Sequence, residues 1–524
     1  MRDSEEPAGG QSRGRILWAD DEVDMLRPHL MTLRRAGYVV DPVMNGADAL
    51  ELLSRWSYDL MLLDERMPGL RGIEVLERVR REAPRLPVVM VTKSEEDSTL
   101  REAIGRRAED YIVKPTSPRQ VLSVVTRLLA GPELRHEFMA RDFTRLYPRL
   151  AEAAAEASSW RDYANLYSQL VDWQLRLDAA REAGLAETLD SLLTEARRGY
   201  CDLVAQRYGQ WVHEGGARGP PLSVDIMPRF FGPLVREDES TLIIVMDCMR
   251  LDQWRAIRPH LEDFFEIEES LYSSVLPTAT PFSRNGIFTG LFADELAEVK
   301  PDWWAVGDNS PEAELFQNAV ERAAGRRVKT HYERVFTRRE AGTALANLGG
   351  VLSTPGATAL VFGFVDLLTH GRAESRLLWE IAGDPSALRS LTTAWFERSP
   401  ALDALRLAAR LGVRTLVTTD HGSIHCHRPT TVFAGPDASR GLRYKIGNDI
   451  RAENPDNVYS ARDADELRLP PGGLRQSYVL CREDYFFVYP TKLNEYRRRY
   501  RNSFLHGGVS LEEMVLPVAL LTPR

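Results

Sequence analysis

Residues 414–427 read RTLVTTDHGSIHCH, a run of apolar and β-branched residues that stops abruptly at Asp420-His421-Gly422. Such a run is typical of a buried strand in a parallel sheet, and ligands bind at the carboxyl ends of strands in open α/β sheets. Two more runs of this kind end on an aspartate: TLIIVMD at 241–247 and ATALVFGFVD at 357–366. We therefore predict that the three runs are strands of one α/β domain, residues 222–524, with their aspartates at one sheet edge.

Histidines accompany these aspartates along the chain. His421 follows Asp420 directly, and His370 lies four residues after Asp366. His506 lies in SFLHGGVSLEEMVLP, just before the last predicted helix and strand. Mixed carboxylate and imidazole ligands select zinc-like metals over Mg²⁺, and open coordination positions make such a site catalytic. The pattern predicts a catalytic metal site.

A nucleophile for that site is offered by LPTATPFSRNGIFTGL at 276–291. Thr278 and Thr280 precede a helix-like stretch there. A threonine at a helix N-terminus can contact both a metal and an anion, because the free N–H groups and the helix dipole favour phosphate. The residues alone leave the choice between the two threonines open.

Together these motifs resemble the alkaline phosphatase superfamily, and within it the PglZ branch is closer still. The segment TPFSRNGIFTGL aligns without a gap on the nucleotide-pyrophosphatase pattern TFPNHYTLVTGL, which places Thr280 at the nucleophile. The resemblance implies a zinc-dependent phosphodiesterase or phosphatase, and a nucleotide-like phosphodiester is the favoured substrate. It implies two zinc ions, one bound by Asp247, Asp420, His421 and Thr280, the other by Asp366, His370 and His506.

Three positions depart from that pattern or lie outside it. Ser283 stands where the comparison pattern has asparagine, which leaves the phosphate contact at this position open, and Arg284 and Asn285 are the candidates to contact the substrate in its place. His425 and His427 have no counterpart in the pattern, and their roles stay open.

A first α/β region, residues 13–131, contains five apolar runs: RILWA, YVVDPV, YDLMLLD, LPVVMVT and DYIV. Segments of helical period lie between them, which predicts a doubly wound parallel sheet of five strands. Carboxylates end two of these strands: Asp20 and Asp21 after the first, and Asp64 at the third. Three carboxylates at one sheet edge would repel each other unless a cation joined them, and hard oxygen ligands suit Mg²⁺. Asp64 can then accept a phosphoryl group.

The segments ADDE, LLDERMPG, VMVT and YIVKP match, in order, the pattern of response-regulator receiver domains. The resemblance implies phosphorylation of Asp64 by a sensor histidine kinase and a homodimer on phosphorylation. Lys93 stands where the family usually has a small residue, which leaves the lifetime of the phosphoryl group open. The resemblance assigns Mg²⁺ to Asp20, Asp21 and Asp64, the switch to Thr92 and Tyr111, and the phosphate contact to Lys114.

Between the two α/β regions, residues 132–214 are rich in Ala, Leu, Arg and Glu at helical period, which predicts a bundle of three or four helices. Asp142 and Ser158 or Ser159 are predicted N-caps, and Gly184 is a predicted helix stop. The order of receiver domain, helical bundle and PglZ domain is similar to that of response regulators of type IX secretion.

Composition bounds the remaining possibilities. A chain of 524 residues is too long for one core, and a net charge of −9 argues against a dedicated nucleic-acid binder. No apolar run approaches the roughly 18–20 residues that span a bilayer. Four cysteines in no CxxC pair suit a reducing compartment. We therefore expect a cytoplasmic protein without membrane insertion.

Two other classes of function compete with a hydrolase. A DNA-binding transcription regulator is the commonest fate of a receiver domain, but neither a helix-turn-helix pattern nor a basic recognition helix follows it here, so we expect no sequence-specific DNA binding. The alternative is a PglZ domain kept as a zinc-stabilised binding module that docks a sigma factor or a secretion component. The complete set of nucleophile and metal ligands favours the enzyme.

Overall fold

The structure is a computed structural model of the chain. It divides into two compact units, Met1–Arg145 and Leu146–Arg524. None of the helices in the described ranges combines the length and the hydrophobicity needed to cross a lipid bilayer. The described residues are 14–83, 86–92, 110–129, 131–180, 182–215, 219–237, 239–301, 311–372, 376–461, 463–473 and 475–524.

The first unit contains a parallel sheet of five strands in the spatial order β2-β1-β3-β4-β5. Its elements are β1 (Arg15–Ala19), α1 (Arg27–Arg35), β2 (Val39–Val43), α2 (Gly46–Arg55), β3 (Leu60–Asp64), α3 (Gly72–Glu82), β4 (Val88–Thr92), β5 (Asp110–Val113) and α4 (Pro118–Leu129). Alternate residues of the central strands pack into two separate apolar clusters, with Leu62 in one and Leu63 in the other. A sheet covered on both faces requires continuous apolar strands, which is why the five runs were recognisable, and the predicted fold class is confirmed.

Three helices follow: α5 (Gly131–Glu156), α6 (Trp160–Ala180) and α7 (Ala183–Glu214). Ser159 caps α6, because its Oγ accepts from the Asp162 N–H at 3.3 Å while the Asp162 carboxylate accepts from the Ser159 N–H at 2.9 Å. The other two predicted helix ends are wrong. Asp142 lies inside α5, where its side chain pairs with Arg145 on the exposed surface. The turn between α6 and α7 forms before Gly184 is reached: the N–H of Glu182 donates to the carbonyl of Leu177 in α6 at 3.0 Å. Gly184 itself lies in the first turn of α7.

The large α/β region holds the remaining elements. Its helices are α8 (Gly232–Val235), α9 (Leu251–Ile257), α10 (Thr280–Thr289), α11 (Ala293–Val299), α12 (Glu312–Ala324), α13 (Arg338–Leu352), α14 (Phe364–Arg372), α15 (Arg376–Ile381), α16 (Pro385–Phe396), α17 (Pro400–Arg410), α18 (Leu493–Tyr500) and α19 (Leu511–Met514). Its strands are β6 (Ser240–Met246), β7 (Phe265–Ser273), β8 (Thr330–Val335), β9 (Gly356–Phe362), β10 (Arg414–Thr418), β11 (Ile424–Cys426), β12 (Arg428–Phe433), β13 (Tyr444–Asn448), β14 (Arg451–Ala452), β15 (Val458–Ala461), β16 (Gln476–Cys481), β17 (Tyr485–Val488), β18 (Ser503–Leu505) and β19 (Val515–Pro523).

A six-stranded sheet in the order β7-β19-β10-β6-β9-β8 forms the centre of this region. Strands β10, β6, β9 and β8 run parallel, and β19 is antiparallel to both of its neighbours. The apolar residues of β6, β9 and β10 are buried, including Ile243, Val361 and Leu416. The parallel pairing brings the carboxyl ends of these three strands to one edge, as predicted.

One strand is shorter than predicted. The sequence pattern placed Asp366 at the end of a strand, but β9 stops at Phe362 and Asp366 lies in the first turn of α14. The chain leaves the sheet at Gly363, where a side chain would overlap the ring of Phe336. Asp366 and His370 therefore lie on successive turns of α14, on the same face of the helix.

Helices α6 and α7 belong to the same compact unit as the large sheet, and polar contacts join them to helices and loops of the large α/β region. On α6, Asp172 pairs with Arg255 at 2.8 Å and Asp178 pairs with Arg389 at 2.6 Å. The contacts of α7 are Arg197 Nε to Glu512 at 2.6 Å, Cys201 Sγ to the carbonyl of Val509 at 3.1 Å, and Tyr208 Oη to the N–H of Leu276 at 2.7 Å.

Candidate metal centres

The first cluster consists of Asp247, Asp420 and His421, whose ligand atoms lie within 4.8 Å of one another. Asp247 directly follows β6, and the other two residues follow the neighbouring parallel strand β10, so the sheet places them side by side. All three are buried. The Nε2 of His421 lies 3.8 Å from Asp247 Oδ1 and 3.8 Å from Asp420 Oδ2.

These two aspartates each leave one oxygen without a hydrogen-bond partner. The oxygens are Asp247 Oδ1 and Asp420 Oδ2, and both are buried. Burial, together with the charge of Asp420, raises the pKa of Asp247 to about 8, and burial also raises the pKa of Asp420. A buried carboxylate is costly unless a cation or a hydrogen bond compensates its charge. Two orphaned oxygens facing one imidazole nitrogen therefore fit a divalent cation.

His421 has the tautomer that a metal ligand needs. Its Nδ1 lies 3.1 Å from the carbonyl oxygen of Gly422, which can only accept, so Nδ1 carries the proton and Nε2 keeps its lone pair. Burial lowers the pKa of His421, so the ring is neutral at pH 7. Thr280, the first residue of α10, places its Oγ1 3.1 Å from this Nε2. The Thr280 hydroxyl thus joins the first cluster.

The second cluster consists of Asp366, His370 and His506. The two Nε2 atoms lie 3.1 Å apart, and they lie 3.3 Å (His370) and 3.9 Å (His506) from Asp366 Oδ1. His506 donates from Nδ1 to the carbonyl of Thr278 at 3.2 Å, which leaves its Nε2 unprotonated. Burial lowers the pKa of His506 to about 3, so this ring is also neutral. Asp366 Oδ1 is a third orphaned oxygen, and the cluster likewise fits a cation.

The two clusters adjoin each other. The rings of His421 and His506 stack with their centroids 4.2 Å apart. The structure therefore brings the predicted metal ligands together as two neighbouring groups of three, with Thr280 beside the first.

Thr278, the alternative threonine, is fully buried and bonded within the protein. Its Oγ1 donates to the carbonyl of Gly508 at 2.8 Å and accepts from the N–H of Gly507 at 3.0 Å. Its carbonyl also holds His506. Thr278 therefore fixes the loop that carries a predicted ligand. The sequence offered no signal for this role, because the partners are about 230 residues away.

Arg284, which was expected to contact substrate, instead lies inside the protein with a residue exposure of 3%. Its Nη1 donates to Asp247 Oδ2 at 2.6 Å, and its Nε donates to Glu312 Oε1 at 2.7 Å. The guanidinium is therefore engaged by carboxylates and not turned toward an incoming ligand. Asn285 is also buried on α10, and its contact with substrate stays a prediction.

Ser283, His425 and His427 lie apart from both clusters. Ser283 Oγ lies 2.8 Å from the hydroxyl of Ser274. His425 Nε2 contacts the carbonyl of Asn502, and His427 Nδ1 contacts the Asn502 side chain, both at 2.9 Å. Each of the three side chains therefore has a polar partner within the protein.

In the first unit, Asp20, Asp21 and Asp64 form a third group of possible metal ligands. Lys114 Nζ lies 2.8 Å from Asp20 Oδ2 and 2.8 Å from Asp64 Oδ2, so the predicted phosphoacceptor already contacts the predicted phosphate partner. Burial raises the pKa of Asp64. Thr92 and Tyr111 lie in β4 and β5, but their side chains, and all of Lys93, fall outside the described residues.

Three family profiles match the chain in succession. Residues 16–126 match the response regulator receiver domain, residues 133–212 match the PorX response regulator linker domain, and residues 227–521 match the BREX system PglZ alkaline phosphatase-like domain. Receiver domains bind Mg²⁺, and alkaline-phosphatase-like domains typically bind metals.

Individual relatives cover part of the chain. The transcriptional regulatory protein ResD of Bacillus subtilis is 40% identical over 131 residues, which are 25% of this chain and 54% of ResD. The alginate biosynthesis transcriptional regulatory protein AlgB of Pseudomonas syringae pv. tomato is 31% identical over 202 residues, 38% of this chain and 42% of AlgB. The chain thus spans about half the length of the curated relatives it matches. A CheY-like receiver domain structure from Methanospirillum hungatei is 27% identical and covers 22% of this chain and 94% of that one, with a TM-score of 0.21.

The PglZ match covers more than half of the chain and contains both metal-ligand clusters of the large sheet. The receiver match contains the third cluster, and the linker match lies between the two. The chain therefore belongs to the PglZ alkaline phosphatase-like family, and it is a response regulator of the PorX-type architecture, with receiver, linker and PglZ domains in that order.

Proposed function

We propose that this response regulator is phosphorylated on Asp64 and that its PglZ domain is a zinc-dependent phosphodiesterase acting on nucleotide-like substrates. The observation that carries the proposal is the position of the Thr280 hydroxyl. It lies 3.1 Å from a ligand atom of the first cluster, and the second cluster is joined to the first by the stacked rings of His421 and His506. A nucleophile beside two adjoining metal sites is an arrangement suited to two-metal phosphoryl transfer.

Two zinc ions suit these donors because each cluster combines carboxylate and imidazole ligands. When bound, the ions would lower the pKa of the Thr280 hydroxyl and neutralise charge on the phosphoryl oxygens. The first ion would be held by Asp247, Asp420, His421 and Thr280, and the second by Asp366, His370 and His506.

Thr280 then attacks phosphorus in line, forming a bond from its Oγ1 to phosphorus as the bond to the leaving oxygen breaks on the opposite side. Water hydrolyses the resulting phosphothreonine and restores the hydroxyl. Because Thr280 is the first residue of α10, the positive end of the helix dipole would favour the negative charge of a phosphate held beside its hydroxyl.

In the receiver, Asp20, Asp21 and Asp64 would hold Mg²⁺ while a sensor histidine kinase phosphorylates Asp64. Lys114, already beside Asp64, would pair with the phosphate. The PorX-type architecture supports a role in type IX secretion, in the cytoplasm, with the domains bounded as 13–131, 132–214 and 222–524.

Zinc content is the first test of this function. We expect the purified chain to hold about two zinc ions, since three protein ligands are the usual number for a catalytic zinc. His421→Ala and His506→Ala should each lower the content by about one ion per chain in elemental analysis. His427→Ala is the matched control, because this histidine lies outside both clusters and should leave the content unchanged. Full occupancy in both ligand variants would contradict the assignment.

Hydrolysis by the zinc-loaded protein is the second part of that test. We expect turnover of bis(p-nitrophenyl) phosphate and of the p-nitrophenyl ester of thymidine 5′-monophosphate to exceed turnover of p-nitrophenyl phosphate. A protein that holds zinc but cleaves none of these esters would contradict the enzyme and favour a binding module for a sigma factor or secretion component.

Phosphorylation should also change the assembly of the chain. The phosphoryl group adds negative charge beside Lys114 and is expected to draw Thr92 and Tyr111 inward, which reshapes the surface near the fifth strand and favours a homodimer. Sedimentation with Mg²⁺ and beryllofluoride, a mimic of the phosphoryl group, should show mass doubling at micromolar concentrations. Asp64→Ala should stay monomeric under the same conditions. An unchanged mass for the unaltered chain would count against the dimer.

A further inference from the structure

The first metal cluster contains two aspartates that are held by different kinds of donor. Asp420 Oδ1 accepts two backbone N–H groups, from Cys248 at 3.2 Å and from His421 at 3.0 Å. Asp247 Oδ2 instead accepts from the guanidinium of Arg284 at 2.6 Å. In both residues the second oxygen is buried, lacks a hydrogen-bond partner and lies 3.8 Å from Nε2 of His421, and the second oxygen of Asp420 also lies 3.6 Å from Arg284 Nη1. Arg284 thus supplies the hydrogen bond that holds the Asp247 carboxylate, whereas two peptide N–H groups hold the Asp420 carboxylate.

Arg284 is itself fixed from the far side of the cluster. Its Nε donates to Glu312 at 2.7 Å, and the other oxygen of Glu312 accepts from the hydroxyl of Tyr332. Glu312 is fully buried, and the Arg284 guanidinium links it to Asp247. A planar guanidinium held at two edges cannot rotate, so it sets the orientation of the Asp247 carboxylate.

The Arg284 guanidinium also changes the total charge of the buried site. With all three carboxylates ionised, as metal binding would require, the buried group contains the negative charges of Asp247, Asp420 and Glu312 and the positive charge of Arg284, which leaves a formal charge of −2. One divalent cation neutralises this group. Without the arginine the charge would be −3, and one carboxylate would stay buried without compensation.

We propose that Arg284 is a positioning residue for the first metal ion: its guanidinium, braced by Glu312, orients Asp247 and matches the charge of the site to one divalent cation. The inference rests on the proposed zinc site and deepens it. It assigns no contact between Arg284 and substrate. Its consequence is that Glu312, which is not one of the three proposed ligands and accepts from Arg284, should affect metal binding through Arg284.

Zinc titration of the metal-free full chain by calorimetry tests this independently of catalysis. We expect Arg284→Met to weaken zinc binding at the first cluster by about 10–100-fold, the usual effect of removing a hydrogen-bond partner of a ligand, and to leave the second cluster unchanged. Arg322→Met is the matched control, because this arginine donates to the backbone carbonyl of Thr289 at the other end of α10. Cobalt-loaded Arg284→Met should show an altered visible absorption spectrum, whereas a purely structural defect would leave the spectrum of the bound ion unchanged.

A double-mutant cycle separates positioning from general packing. Glu312→Gln should weaken zinc binding at the first cluster, and Arg284→Met/Glu312→Gln should lose no more affinity than Arg284→Met alone. If Arg284→Met does not fold, the nearly isosteric Glu312→Gln gives the test by itself. Unchanged zinc affinity in either folded variant, or additive losses in the double variant, overturns the inference while the zinc site stands. Absence of zinc binding by the unaltered chain overturns both.

Discussion

Replacing Thr280 by alanine is expected to lower kcat/KM for phosphodiester hydrolysis by about 10³-fold or more, because alanine cannot form the covalent phosphothreonine. The Thr280 hydroxyl is the group that the structure places beside the metal ligands, 3.1 Å from His421. The zinc of the first cluster should be weakened but retained, since Asp247, Asp420 and His421 still provide three ligands. Initial rates with bis(p-nitrophenyl) phosphate measure the loss.

The fold should survive this change. Thr280 is half-buried at the start of α10, and removal of a hydroxyl at a helix start costs only about 1 kcal/mol. The melting temperature should therefore fall by a few degrees at most, about 2–4 °C. Differential scanning calorimetry on the two proteins checks this point, so a loss of rate cannot be attributed to unfolding.

Variants of two other threonines serve as controls for the Thr280→Ala result. Thr289→Ala is the matched control on the same helix, because Thr289 donates to the carbonyl of Asn285 at the far end of α10, and it should keep its rate. Thr278→Ser should also stay active, since serine preserves the hydroxyl that holds Gly507 and Gly508. Near wild-type turnover in Thr280→Ala, combined with an inactive Thr278→Ala, would move the nucleophile by two residues. If neither alanine variant loses activity, the reaction does not use a threonine.

Asp64→Ala is expected to eliminate phosphorylation of the receiver by acetyl phosphate with Mg²⁺, because the acceptor carboxylate is absent. Incorporated label should fall to background in a phosphate-affinity gel. Asp41→Ala is a suitable control: this aspartate pairs with Arg15 and Tyr58 away from the acidic group, and its replacement should retain label. Persistent labelling of Asp64→Ala would disprove the assignment of the acceptor.

The same variant should retain basal phosphodiesterase activity. Asp64 lies in the first unit, and the proposed chemistry uses residues of the second. The receiver is therefore expected to act through assembly and not through the reacting groups. Loss of all hydrolysis in folded Asp64→Ala would show that the receiver contributes to the chemistry.

Much of the candidate site was predictable because parallel strands leave a strong trace in sequence. Asp247 and Asp420 follow apolar runs that had to be buried, and the sheet brings such ends together. His370 was predictable from its spacing of four residues after Asp366, although the helical geometry behind that spacing was mistaken for a strand end. Local pattern thus identified the ligands better than the elements that carry them.

Long-range contacts account for what was missed. Arg284 and Glu312 are joined across 28 residues by a contact that exists only once α10 and α12 have packed. In an isolated segment, an arginine near a nucleophile looks like a phosphate contact, and its burial against Asp247 has no local signature. The predicted cap at Asp142 failed for a related reason, since a cap residue is overridden when the chain around it can continue a helix. Near Gly184 the turn forms a few residues earlier, so that Gly184 lies in the first turn of α7.

The contacts of α6 and α7 bear on how this effector can be transplanted. A chimaera that joins residues 222–524 to a foreign receiver would lose Asp178, a partner of Arg389, and Arg197, the partner of Glu512, and it would expose to solvent the two remaining side chains, which are buried in the intact chain. Tyr208 and Cys201 would also be lost from the segments that precede Thr280 and follow His506. The unit that can be transferred to another receiver is therefore the PglZ domain together with α6 and α7, and the fusion junction should precede Trp160.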